Sequence, residues 1–144
     1  MAISSAICNS FKQEILVEGH NFTNGTDQFK LALYTSSASL GASTTAYSAT
    51  NEISNASGSA YSAGGANLTS VTPVLDGSTA VCDFADISFT SASFTANGCL
   101  IYNSTNSNKA VCVVAFGGDK TLSSGTFTIQ FPAAGASTAI VRIA

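Results

Sequence analysis

Apolar residues recur every fourth position at the start of the chain and every second position after it. Ile3, Ile7, Phe11 and Ile15 make one stripe, which predicts an amphipathic helix over residues 4–18. Ser10-x-x-Gln13 offers a capping box, so the regular helix can begin as late as Ser10, and Gly19 is placed to stop it. A single helix of this length needs a sheet or a partner to cover its stripe. From Phe29 the period is two. Residues 29–34 predict a strand with Phe29, Leu31 and Leu33 on one face. Residues 68–75 and 79–84 flank Asp76-Gly77, a hairpin signal. Residues 87–89 and Phe94 continue extended, and residues 98–102, 110–116, 126–131 and 139–143 read as further strands, with Pro132 ending one of them. Between residues 35 and 65 the chain is small and polar, with short extended pieces near 45–53; this reads as an irregular arm. The pattern predicts one mainly β domain over residues 1–144, an antiparallel β-sandwich or barrel-like fold with one N-terminal amphipathic helix.

Composition changes the picture at the surface. Only 9% of the 144 residues are charged, against about 25% in a typical domain. Ser, Thr, Ala, Gly and Asn take the vacant places, and short neutral side chains carry little desolvation cost when they pack against a neighbour. A chain of this length buries roughly 68–70% of its unfolded surface, enough for a proper core. Net charge is −3, and the basic residues Lys12, Lys30, Lys109, Lys120 and Arg142 are scattered. Without a basic patch, nucleic acid is not an expected partner. No apolar run reaches 18 residues, so no membrane-spanning helix is expected. The N-terminus lacks a basic region followed by an apolar stretch, so Cys8, Cys82, Cys99 and Cys112 are expected as reduced, buried small residues. The five Asn-x-Ser/Thr sequons reflect an Asn- and Thr-rich chain on the same argument.

Candidate chemistry fails on local context. Gly117-Gly118-Asp119-Lys120-Thr121 follows an apolar run, as a phosphate-binding loop would. Such a loop needs a following helix whose amides face the phosphate. Here Asp119 would repel phosphate, and the alternating run 126–131 follows instead, so the segment reads as a loop between two antiparallel strands. His20, the only histidine, sits where the helix should end; a capping or surface role is expected. Asp76, Asp83 and Asp86 fit no calcium loop and read as solvated. No zinc pattern is present. Tyr34, Tyr47, Tyr61 and Tyr102 could form a stacking surface for sugars, without the Trp or amide cluster that usually accompanies one. The expectation is a non-enzyme with no catalytic residue, no cofactor and no metal.

The series "FKQEILVEGHNF", "FKLALYTSSASLGASTTAYSATNEIS", "YSAGGANLTSV", "DFADISFTSASFTANGCLIYN" and "NKAVCVVAFGGDKTLSSGTFTIQFP", with "AIVRI" at the end, resembles small structural proteins of tailed bacteriophages. The likeness runs over nearly the whole chain. It implies a virion structural protein assembled in the host cytoplasm, with no catalytic residues. The particular expectation drawn from it is a capsid decoration, or cement, protein that binds the major capsid protein lattice. It is compatible with a homo-oligomer such as a trimer. The alternative is a tail, neck or fibre-associated module that binds a receptor or glycan. The arm at 35–65, together with the N-terminal residues before the helix, is the expected grip. Ordering it costs roughly 1–2 kcal/mol per residue of backbone entropy. Its few large apolar residues, Leu40, Tyr47, Ile53 and Tyr61, would offset part of that. Tyr47, Ile53 and Tyr61 are therefore the candidate partner contacts. The competing expectation is that the arm folds over its own sheet.

Overall fold

A computed structural model describes residues 2–54 and 61–144. The elements in chain order are β1 (Ala6–Ile7), α1 (Asn9–Glu14), a 3-10 turn (Ile15–Val17), β2 (Phe29–Tyr34), β3 (Ala66–Asn67), β4 (Ser70–Asp76), β5 (Thr79–Phe84), β6 (Ile87–Asn103), β7 (Lys109–Ile129) and β8 (Val141–Ile143). The chain is mainly β, as its period-two pattern predicts. One sheet has the order β1-β7-β6-β2-β3 and the other β4-β5-β8, with every pair of neighbouring strands antiparallel. The arrangement is sandwich-like. Phe84 of β5 reaches Phe29 of β2 at 5.8 Å between ring centres and Phe131 at 5.4 Å. Phe22 stacks on Phe29 at 4.3 Å. A second aromatic group, Phe89, Phe94 and Phe127, lines the far half of the β6–β7 ribbon.

The N-terminal helix is shorter than its stripe suggests. Ala6 and Ile7 pair with Val113 and Cys112 of β7, and Ser4 N–H donates to Leu40 O. The open edge of β7, with Leu40 of the arm, thus gives the first residues ladder partners that an isolated helical turn could not match. Cys8 is extended at the N-cap, and no side chain caps the helix, so the Ser10–Gln13 box does not form. Helical backbone ends at Val17, two residues before Gly19: Glu18 is left-handed at φ 60°, and Gly19 N–H donates to Glu14 O at 2.8 Å.

The two runs on either side of Gly117–Gly118 lie on one strand, not on two strands joined by a loop. Both pair with β6, which itself joins the predicted segments 87–89, 94 and 98–102. Irregularities absorb the breakers. Between the pairs Ala96–Lys120 and Gly98–Ala115, β6 advances two residues and β7 five, so three residues bulge out of β7. Gly117 (φ 76°) and Gly118 (φ 146°) form that bulge. Ser91 and Ser124, both left-handed, mark two smaller register shifts. The Asp76-Gly77 hairpin forms as read, and β7 stops before Pro132.

Three of the thiols sit in this core. Cys8, Cys99 and Cys112 are buried, Cys82 is half-buried, and all four are free. Burial pushes Cys8 and Cys82 up to about 11 and Cys99 up to about 12. It raises Cys112 further, with Cys99 and Cys8 adding to the effect. At pH 8 a thiol at about 11 is ionised in about one molecule in a thousand. Maleimide or disulfide-exchange labelling of the folded chain should therefore be slow, with Cys82 first. Fast labelling of Cys99 or Cys112 before unfolding would contradict this packing.

Candidate partner interface

The arm folds over its own sheet. Tyr34 and Glu52 form an antiparallel bridge, and Ile53 N–H donates to Leu33 O at 3.0 Å. On the other side Ala46 bridges to Lys109, and Tyr47 N–H donates to Asn108 O at 2.9 Å. Tyr47 stacks on Tyr102 with ring centres 4.7 Å apart. Ile53 and Tyr61 are buried in the main core, and Tyr47 packs against it. These three residues are thus turned inward, and Ile53 and Tyr61 have no surface to offer a partner. The reason is energetic: the arm has too few apolar groups to leave any in water, and the sheet is the nearest place to bury them. Residues 55–60 of the arm lie outside the described residues.

What holds the arm is a single carboxylate that belongs to no sequence motif. Glu52 is the only charged residue between 35 and 65. Its Oε1 accepts from Tyr61 O–H at 2.5 Å and from Gly64 N–H at 2.7 Å, and its Oε2 accepts from Tyr47 O–H at 2.6 Å. Tyr61 oxygen also accepts from Leu33 N–H at 3.0 Å, and Tyr102 O–H donates to Gly64 O at 2.6 Å. Tyr34 O–H donates to Ser48 O at 2.8 Å. All four tyrosine hydroxyls are therefore spent inside the fold. Burial, then the Glu52 carboxylate, raises the pKa of Tyr61 and Tyr47, and burial with nearby Glu52 raises Tyr34 and Tyr102. The tyrosines do not make a sugar-stacking surface, because Tyr34, Tyr61 and Tyr102 are buried.

His20 is likewise internal and not at the surface. Its Nε2 lies 3.2 Å from Glu14 Oε1 and its Nδ1 3.2 Å from Asn103 Nδ2. Lys109 Nζ stands 3.5 Å from Glu14 Oε2. Phe11 and Phe29 flank the ring at 4.9 Å and 6.2 Å. The network ties the end of α1 to the turn between β6 and β7. The three aspartates serve backbone amides: Asp76 accepts from Ala136, Asp83 from Phe84 and Asp86 from Phe131. Among the described residues no group of three or more His, Cys, Asp or Glu is placed to hold a metal. In the Gly117–Thr121 segment, Asp119 accepts from Asn97 at 2.9 Å, and the backbone continues as strand.

The surface that remains for a partner is apolar and lies elsewhere. Leu16 is 83% exposed, Val17 62%, Leu75 72% and Ile143 57%. Leu16 and Ile143 line one groove of about 340 Å³ with Ile7, Phe11, Ile15 and Val141, and Lys12 and Arg142 border it. Leu75 and Ile143 are both cross-strand partners of Ala80, so all three project from one face of the smaller sheet. The patch therefore runs from the 3-10 turn across β8 to the tip of the β4–β5 hairpin. Sequence reading assigned Leu16 and Val17 to the helix and Ile143 and Leu75 to strands. Nothing in the pattern shows that Ile143 lies beside Leu16 at one groove and shares a sheet face with Leu75.

The chain matches no protein-family model, no curated protein and no solved structure. The class that the fold defines is a mainly β, antiparallel, sandwich-like protein with one short N-terminal helix.

Proposed function

We propose that this chain is a structural protein of a tailed-phage virion, and that it decorates the capsid by docking on the major capsid protein lattice. The observation that carries the reading is the apolar patch of Leu16, Leu75 and Ile143 on a chain with only 9% charged residues. Exposed apolar patches of this kind mark interaction sites. The resemblance of the chain to small phage structural proteins supplies the partner. The engaged states of Glu52, the tyrosines and His20 support a structural reading over one in which those groups meet a substrate. The grip is assigned to the patch and not to the arm, whose anchors are consumed internally.

The test is co-sedimentation of the purified chain with assembled phage heads that lack it. The double variant Leu16→Asp, Ile143→Asp should bind at least roughly 100-fold more weakly, because two apolar side chains worth about 1.5–3 kcal/mol each leave the interface. Both positions are largely exposed, so the variant should keep the tyrosine near-ultraviolet signal of the parent. Unchanged head binding would remove the patch from the interface. Recovery of the chain on purified tails and not on heads would move it to the tail or neck.

A further inference from the structure

The protonation state of His20 is dictated by its neighbours. The Glu14 carboxylate can only accept, so Nε2 carries the ring hydrogen; the Asn103 amide nitrogen can only donate, so Nδ1 must be bare. The amide cannot simply turn over. Asn103 Oδ1 accepts from Thr105 N–H at 3.1 Å and Asn106 N–H at 3.2 Å, and Nδ2 also donates to Asp27 Oδ2 at 2.8 Å. Reversal would break both bonds of the turn and set an oxygen against the Asp27 carboxylate. We propose that His20 is an acid-sensitive latch: a proton on Nδ1 opposes the Asn103 amide and frees the end of α1 from the β6–β7 turn.

The groups facing the ring come from four elements. Glu14 of α1 and Asp27, before β2, favour a cation, while Lys109 of β7 opposes it. Phe11 and Phe29 give a cation modest help. Burial is the largest influence and lowers the His20 pKa below its ordinary value of 6.5. A cavity of about 580 Å³, bordered by Glu18, His20, Asn21, Asp27 and Asn106, lies beside the joint, but the ring itself is fully buried, so a proton reaches Nδ1 as the joint opens. The same joint includes Asn106 Nδ2 donating to Gly19 O at 2.5 Å, so its loosening would reach the backbone on both sides.

The sign follows from linkage. Above the ordinary histidine value both folded and unfolded chains hold His20 neutral, and the latch costs nothing. As pH falls through about 6.5 the unfolded chain takes the proton first, so stability declines until the folded form is protonated as well. Ordinary carboxylates add their own acid loss only at lower pH.

The experiment is a nitrogen-15 NMR titration of the full chain, with amide exchange followed in parallel. At pH 7.5 His20 should be the Nε2–H tautomer, with a titration midpoint below 6.5. Amide exchange at Gly19, Thr105 and Asn106, corrected for its intrinsic rate, should rise severalfold between about pH 7 and pH 5. His20→Gln cannot gain the charge and should lose that rise. An Nδ1–H tautomer, a midpoint at or above 6.5, or the same rise in His20→Gln would overturn the latch. If the variant does not fold, the titration and exchange of the parent chain decide the matter alone.

Discussion

Glu52→Ala is expected to lower the urea midpoint of the chain by roughly 1–2 M, a loss of about 3 kcal/mol with the slope usual for a small domain. The size follows from what the carboxylate holds. Three donors converge on it, from Tyr47, Tyr61 and Gly64. Truncation leaves these donors without an acceptor, and each unsatisfied buried group costs about 1–3 kcal/mol. The sum is held down because Glu52 is half-buried, so water can reach some of the released groups. Glu52→Gln should cost only about 1 kcal/mol, since one oxygen remains for Tyr61 and Gly64 and the Tyr47 hydroxyl can turn to accept. The tyrosine near-ultraviolet signal should change in step, because Tyr47 and Tyr61 bond Glu52 directly and Tyr102 stacks on Tyr47. A loss within 0.5 kcal/mol for Glu52→Ala, the range of ordinary surface substitutions, would show that the arm stands without this clamp.

Glu52 also shows where sequence reading stops. An arm of small polar residues reads as a contact loop because nothing in it looks able to form a core. The signal that it folds inward was present as a single acid in an otherwise uncharged stretch with tyrosines on both sides. Recognising it requires knowing that the three donors meet, and that depends on β2 passing beneath them. The strands β2, β4 and β5 are legible because β2 alternates, and β4 and β5 are short apolar-rich runs that flank the Asp76-Gly77 turn. The long pair β6–β7 was not, because Ser91, Gly117–Gly118 and Ser124 read as strand ends. In the fold they are bulges that let a ladder continue past extra residues. The N-terminus misled in the opposite sense. Its four-residue period fits a helix, yet both isoleucines sit in extended chain: Ile7 pairs with Cys112 at the edge of β7, and Ile3 bridges to Leu40 of the arm. His20 looked like a helix-end cation, and only its neighbours from distant segments, Asn103 and Phe29, make it a buried neutral group.

Gly65→Ala is expected to be the most damaging single methyl addition among the described glycines of the arm. Gly65 sits at φ 85°, in the left-handed region that disfavours a β-carbon. A methyl group there would overlap the carbonyl of Leu31 and press on the Ala32 backbone. Neither can move away. Leu31 pairs with Ile101 of β6 on one side and with Ala66 of β3 on the other, and its side chain is fully buried. The clash is with main chain and not with a flexible side chain, so relief requires pulling β3 and the returning arm off the sheet. That would also withdraw Gly64 from Glu52. The expected cost is above about 4 kcal/mol, a large share of the 5–15 kcal/mol that holds a typical domain together. Gly25→Ala separates the two causes. Gly25 has nearly the same φ, 84°, but an added β-carbon there meets nothing within 4 Å. It should cost only the backbone strain, about 1–2 kcal/mol. Thermal or urea unfolding of the two variants side by side gives the comparison. Equal losses would mean that backbone strain alone sets the cost and that the arm does not return as tightly against β2 as the Leu31 contact requires.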